Sequence, residues 1–221
     1  MRGQPGAVAA ERGTLITFEG IGGSGKSTVS REVVAWLESQ LVGVLALKEP
    51  GATSLGRELR DILVNRRDWL APWTEAFLFE ADRAQTYSEL VLNALQSGKV
   101  VVFDRGPYGT LAYQASGRQL DVELIRAMND AAVQGRQPDL AVIVDVRPEV
   151  GLARKRAQQA TDRFDAEPDL EYHRRVRAGY LEAAKRDADH AVVVDGERSQ
   201  DAVLDEVKEL ITGRLGIPAS R

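Results

Sequence analysis

The stretch GIGGSGKS at residues 20–27 has the spacing of a phosphate-binding loop, in which two glycines enclose four residues and are followed by Lys and Ser. It lies between Thr14 to Phe18, a β-branched and aromatic run that predicts a strand, and Val29 to Leu41, which predicts a helix. Glycines permit a tight turn whose amide groups, together with the helix N-terminus, can hold a polyphosphate. The sequence therefore predicts a nucleotide polyphosphate site at this turn.

Two side chains of the loop take specific roles from their positions. Lys26 can reach the β- and γ-phosphates, and the hydroxyl of Ser27 can bind a Mg²⁺ ion that bridges phosphate oxygens. The residues predicted to bind ATP are Gly20, Gly22, Gly23, Ser24, Gly25, Lys26, Ser27 and Thr28.

Short apolar runs and helical stretches alternate along the rest of the chain. Further strands are predicted at 44–47, 100–103, 140–144 and 192–194, and one long helix is predicted from Thr74 to Leu95. This alternation is typical of an α/β fold, a five-stranded parallel sheet with helices on both faces. Ligands of such sheets bind beyond the carboxyl ends of the strands. We expect one domain over residues 14–221 and a flexible extension over residues 1–13.

Composition excludes several functional classes. The chain has 221 residues, of which 43% are hydrophobic and 28% charged, a balance typical of globular proteins. The absence of cysteine excludes disulfides, thiolate metal sites and cysteine nucleophiles. A net charge of -4 argues against nucleic acid as a partner. No apolar run reaches the roughly 18 residues that a membrane span needs, so we expect no membrane association and a cytoplasmic location.

A series of short motifs in a fixed order resembles the thymidylate kinases from Phe18 to about Asp195. The motifs are FEG (18–20), EPG (49–51), LFEADRAQ (78–85), DR (104–105), AYQ (112–114), PDL (138–140) and DVRPEVGLAR (145–154). The resemblance implies the P-loop NTPase fold of nucleoside monophosphate kinases, with a short lid at about 155–168. It also implies ATP-dependent phosphorylation of a nucleoside monophosphate, most simply dTMP, with Mg²⁺, and a homodimer formed through the helix from Thr74 and the helix before it.

The resemblance assigns an acceptor site as well. Phe79 would stack on the base, Arg83 would contact base or phosphate, and Tyr113 would lie against the sugar. From the residues alone, Phe79 could equally belong to the core and Arg83 could be a surface charge. The full set implied for the acceptor is Lys48, Phe79, Arg83, Arg105, Thr110, Tyr113 and Gln114.

Cations are the expected catalysts, because phosphoryl transfer needs positioned positive charge more than a proton-removing base. The resemblance gives this role to Lys26, to Arg105 beside the acceptor phosphate, and to the lid-side residues Arg154 and Arg163. Asp104 ends a predicted buried strand, where it could bind Mg²⁺ directly or through water.

One departure from the family pattern leaves the acceptor open. Members usually carry an acidic residue in the loop that accepts the sugar 3′-hydroxyl, whereas this chain has Gly22. A modified or non-thymidine nucleotide is therefore one hypothesis. Two others are a nucleoside kinase that phosphorylates a 5′-hydroxyl with Glu49 as general base, and a nucleotide-binding protein without catalysis.

Overall fold

The computed structural model describes residues 13–65, 69–159, 162–167 and 169–217. Apart from Gly13, the predicted N-terminal extension lies outside the described residues. The predicted lid at 155–168 is described except for residues 160, 161 and 168, and its first residues, 155–157, are the last turn of a helix.

Five parallel strands form one sheet, as the sequence predicted. They are β1 (Thr14–Glu19), β2 (Val44–Lys48), β3 (Val100–Asp104), β4 (Leu140–Asp145) and β5 (Ala191–Asp195). Their order is β2-β3-β1-β4-β5. Phe18 pairs with Asp104, and Lys48 pairs with the same residue from the other side. The carboxyl ends of β1, β2 and β3 therefore meet at one edge.

Helices cover both faces of the sheet. They are α1 (Lys26–Ser39), α2 (Ser54–Arg60), α3 (Pro72–Thr86), α4 (Leu92–Gln96), α5 (Tyr108–Thr110), α6 (Val122–Ala132), α7 (Pro148–Ala157), α8 (Leu170–Arg186) and α9 (Gln200–Leu215). Ile16 and Phe18 belong to the cluster that buries Val33 of α1, whereas Leu15 belongs to the opposite cluster with Val91. Side chains that alternate along a strand thus reach two separate helical layers, which explains why the strands are apolar on both faces.

Two helix predictions need correction. The expected single helix from Thr74 to Leu95 runs from Pro72 to Gln96, and a π-helical segment, Tyr87–Val91, interrupts it. The helix after the loop begins at Lys26 rather than Val29: Gly25 is its N-cap residue, and the polar residues 26–28 of its first turn show no apolar periodicity. Within the described residues, every helix is too short or too polar to cross a membrane.

Candidate active site

A cavity of about 450 Å³ opens beyond the carboxyl ends of β1, β2 and β3. Most of the residues predicted for the site line it. They are Gly22, Gly23, Ser24, Gly25, Lys26, Ser27, Thr28, Lys48, Glu49, Phe79, Arg83, Asp104, Arg105, Thr110, Tyr113, Gln114 and Arg154. Gly20 and Arg163 are not among its lining residues. The strand and loop motifs that are far apart in sequence therefore converge on one volume.

The loop between β1 and α1 has the conformation that its glycines allow. Gly20, Gly23 and Gly25 all have positive φ, which side chains rarely tolerate. A Cβ at Gly23 would also lie 2.7 Å from the carbonyl carbon of Gly151 in α7. The loop is thus folded tightly against α7.

Lys26 lies inside this loop, where its ammonium group donates a hydrogen bond to the carbonyl of Ile21 at 3.3 Å. Burial lowers the pKa of Lys26 to about 8, and the positive charge of Arg105 acts in the same direction. A polyphosphate in the loop would supply the negative charge that this ammonium lacks.

Arg105 is held rigidly at the end of β3. Its backbone has a φ of 75°, an uncommon conformation for a residue with a side chain. One guanidinium nitrogen donates to the hydroxyl of Tyr180 in α8 at 2.9 Å, and the guanidinium carbon lies 4.7 Å from the ring centroid of Tyr113. Burial raises the pKa of the Glu19 carboxyl to about 7, although the positive charge of Arg105 acts to lower that pKa. Arg105 is therefore a fixed cation that faces the cavity.

Arg83 is fully buried, so the alternative of a surface charge is wrong. Its Nε and Nη2 both donate to the Glu49 carboxylate, and Nη2 also donates to the Gly106 carbonyl. Its Nη1 donates to the Asn129 amide oxygen at 2.6 Å and to the Glu80 carboxylate. Burial alone would lower the pKa of its guanidinium, but Glu49 and Glu80 outweigh this and raise that pKa above its ordinary value. Contact with an acceptor nucleotide would require one of these bonds to be exchanged.

Glu49 and Thr110 are bound to the same guanidinium. Both carboxylate oxygens of Glu49 accept from Arg83, and burial raises the pKa of this carboxyl to about 8. The Thr110 hydroxyl lies 3.2 Å from both Arg83 and the Asn129 amide oxygen. Sequence reasoning missed Asn129; the available signal was a polar residue on the buried face of α6, beside Ile125 and Ala132.

An aromatic cluster, Phe79, Tyr113 and Phe164, forms part of the cavity wall. The ring of Phe164 lies 5.8 Å from Phe79 and 5.7 Å from Tyr113. Phe79 belongs to the hydrophobic core and also lines the cavity, so the two interpretations of this residue are compatible. Phe164 was not predicted, and it comes from the short stretch 162–167 that packs over the site.

Gln114 and Arg163 contact Glu75 of α3, a buried carboxylate that sequence reasoning also missed. The Gln114 amide donates to it at 2.7 Å, and the Arg163 guanidinium forms an ion pair with it. Arg163 therefore links the stretch 162–167 to α3, and unlike the other predicted lid-side residue, Arg154, it does not line the cavity in this structure.

The opposite rim of the cavity carries Arg154 and Lys155 from α7. Arg154 donates to the Gly196 carbonyl at 3.0 Å and to that of Gly23 at 3.4 Å, so it lies directly over the loop. Lys155 pairs with Asp165 at 2.9 Å. Of the two predicted lid-side arginines, Arg154 is thus the one beside the phosphate loop.

The predicted Mg²⁺ ligands fit the chemistry of that ion. Ser27 and Asp104 line the same cavity, and Asp104 pairs with Lys48 at 3.5 Å. Within the described residues, no group of three or more acidic or histidine side chains converges on a point. Mg²⁺ at phosphates keeps several waters and needs only one or two protein oxygens, so one hydroxyl and one carboxylate suffice.

Comparison with known proteins agrees with this geometry. A family model described as thymidylate kinase matches residues 18–207. The chain is 40% identical to a thymidylate kinase of Maridesulfovibrio salexigens over 91% of this chain and 96% of that protein, and 43% identical to one of Nitratidesulfovibrio vulgaris over 91% and 93%. The crystal structure of thymidylate kinase from Ehrlichia chaffeensis superposes with a TM-score of 0.76 at 29% identity, covering 91% of this chain and 99% of that one.

Proposed function

The chain belongs to the thymidylate kinase family, and on this premise we propose that it transfers the γ-phosphoryl group of ATP to dTMP, forming ADP and dTDP. The observation that carries the proposal is one cavity lined by a phosphate loop, by the fixed cation Arg105 and by an aromatic wall. Donor phosphates in the loop and an acceptor phosphate at Arg105 would meet in that cavity.

The transfer itself needs positioned cations. A phosphate oxygen of dTMP forms a bond to the γ-phosphorus while the bond from that phosphorus to the oxygen bridging the β-phosphate breaks. The attacking oxygen is already ionised, so no general base is required. Lys26, Arg105 and Arg154 all line the cavity and would stabilise the charge spread over the transferred group. Mg²⁺, when bound, would be held by Ser27 and Asp104 and would neutralise phosphate charge.

Acceptor recognition rests on the aromatic wall. We propose that the pyrimidine lies beside Phe79 and Phe164, and the sugar beside Tyr113, whose rings are neighbours on the cavity wall. The Glu49 carboxylate is bound through both oxygens to the buried Arg83, which gives it a structural role in this site. This arrangement favours a nucleotide that already carries its 5′-phosphate over a nucleoside.

A coupled assay of ADP formation with ATP, Mg²⁺ and a panel of nucleosides and nucleoside monophosphates tests the proposal. We expect dTMP to give the highest kcat/KM, and Lys26→Met to reduce it by at least a hundredfold. Arg31→Met, an exposed residue of the same helix, is the matched control and should leave the rate unchanged. Turnover of thymidine in preference to dTMP, or no ADP with any acceptor, would contradict the proposal.

We also infer a cytoplasmic homodimer. ATP and nucleoside monophosphates are available in the cytoplasm. Phe77 on α3 is 58% exposed and its ring lies 6.1 Å from Trp73, while Leu124 on the adjoining α6 is also exposed, giving an apolar surface suited to a second copy. Sedimentation velocity should give a dimer that Phe77→Asp converts to monomer. A wild-type monomer at micromolar concentration would refute the dimer.

A further inference from the structure

We propose that Asp165 accepts a hydrogen bond from the 3′-hydroxyl of the acceptor nucleotide. Asp165 belongs to the stretch 162–167, and it would supply a carboxylate that the phosphate loop lacks, because residue 22 of the loop is glycine. The proposal rests on the proposed function, because it concerns recognition of the same acceptor.

The space beside Gly22 is filled by Asp165. A Cβ built on Gly22 would overlap Oδ1 of Asp165 and lie 2.9 Å from its Cγ. Unlike its neighbours Gly23 and Gly25, Gly22 does not have a positive φ, so its backbone could carry a side chain. A side chain at residue 22 would therefore have to displace the Asp165 carboxylate, whereas the turn itself does not demand glycine there.

The carboxylate is held in a defined orientation. The side chain of Asp165 is 6% exposed, and its Oδ2 pairs with Lys155 at 2.9 Å and accepts from the Asp162 amide at 3.4 Å. Its other oxygen, Oδ1, is the one directed at Gly22, on the wall of the cavity. Lys155 thus stabilises the charge through Oδ2, while Oδ1 lies beside Gly22 in a residue that lines the cavity.

The position of Asp165 selects the part of the nucleotide that it can contact. The preceding residue, Phe164, belongs to the aromatic wall with Phe79 and Tyr113, whereas Gly22 belongs to the phosphate loop. A nucleotide whose base lies on that wall and whose phosphate lies at Arg105, next to the donor phosphates in the loop, would present its sugar to this part of the cavity. A carboxylate repels phosphate oxygens but accepts from a neutral hydroxyl. In a 2′-deoxynucleoside 5′-phosphate, the only free sugar hydroxyl is the 3′ one.

Comparison of dTMP with 3′-deoxythymidine 5′-monophosphate tests this contact. A hydroxyl bonded to a charged acceptor should give the wild type a 10- to 100-fold preference for dTMP in kcat/KM. Asp165→Ala should reduce that preference to less than threefold by lowering the rate with dTMP, while turnover of the 3′-deoxy nucleotide shows that the variant is folded. Asp205→Ala, an exposed aspartate of α9, is the matched control and should keep the wild-type preference.

Moving the carboxylate provides a second, independent test. Gly22→Asp alone should slow both acceptors, because its Cβ overlaps Asp165. The double variant Gly22→Asp with Asp165→Ala should regain a preference for dTMP of at least tenfold, because a carboxylate returns to the same place. An undiminished preference in Asp165→Ala, or an equal loss with both acceptors, would overturn the inference. Absence of turnover with any acceptor in the wild type would instead reject the proposed function.

Discussion

Replacing Glu75 by Gln should uncouple residues 162–167 from α3. The Glu75 carboxylate is 1% exposed and its partner Arg163 is 16% exposed, so their ion pair is largely shielded from water. Hydrogen bonds to charged groups contribute about 1.5 to 3 kcal/mol each. A double-mutant cycle that combines Glu75→Gln with Arg163→Met should therefore give a coupling energy of about 1.5 to 3 kcal/mol. Urea unfolding of the four proteins measures it.

A matched exposed pair provides the control for this cycle. Glu149 and Arg174 join α7 to α8 at 2.9 Å, and each side chain is about half exposed. Pairs of this kind contribute about 0.2 to 1 kcal/mol. The same cycle on Glu149 and Arg174 should thus give the smaller value. If the Glu75 and Arg163 cycle gave no more coupling than this exposed pair, the reasoning from burial would be refuted.

Three further variants test separate parts of the structure. Burial raises the pKa of the Asp82 carboxyl, which accepts from the Gly51 amide, to about 6. The folded state therefore holds this proton more tightly than the unfolded state. The contribution of Asp82 to stability thus falls as pH rises from about 4 to 6. In urea titrations, Asp82→Asn should remove the part of the fall that Asp82 causes, gaining up to about 3 kcal/mol over the wild type across this window, while Glu19 and Glu49, whose pKa values burial also raises, keep their own part; a constant difference between the two proteins would contradict this. Tyr180→Phe removes the hydroxyl that accepts from Arg105, so Arg105 loses one hydrogen bond. We expect kcat/KM for dTMP to fall about tenfold in steady-state assays, and an unchanged value would show that Tyr180 is dispensable. Phe164→Leu should raise the KM for dTMP more than that for ATP, and an equal rise in both would place Phe164 outside the acceptor site.

The sheet and the phosphate loop were predictable because their signals are local. The glycine spacing at residues 20–27 and the continuous apolar runs need no knowledge of distant contacts. The start of α1 was misplaced by three residues, because its first turn is polar and apolar periodicity begins only at Val29. Apolar periodicity also could not reveal the π-helical segment Tyr87–Val91, because the chain remains helical from α3 through this segment into α4.

The orientation of charged side chains could not be read from the sequence. Arg83 and Arg163 both follow the motif pattern, yet one is fully buried among acceptors and the other pairs with Glu75. Glu49, which binds Arg83, is 34 residues away along the chain, and Glu75, which binds Arg163, is 88 residues away. Asp165 was missed for the same reason, because its relation to Gly22 exists only once the chain has folded.

The saturation of Arg83 has an evolutionary consequence. Its guanidinium is bound by Glu49, which follows β2, by Glu80 of its own helix α3 and by Asn129 of α6, so distant segments share one buried charge. Loss of a single partner in such a group costs about 3 to 5 kcal/mol, a large share of the 5 to 15 kcal/mol that typically separates folded from unfolded states. Selection would therefore remove a substitution at any one of these positions before a second substitution could compensate for it. Among homologues, we expect these residues to be replaced together or to persist together.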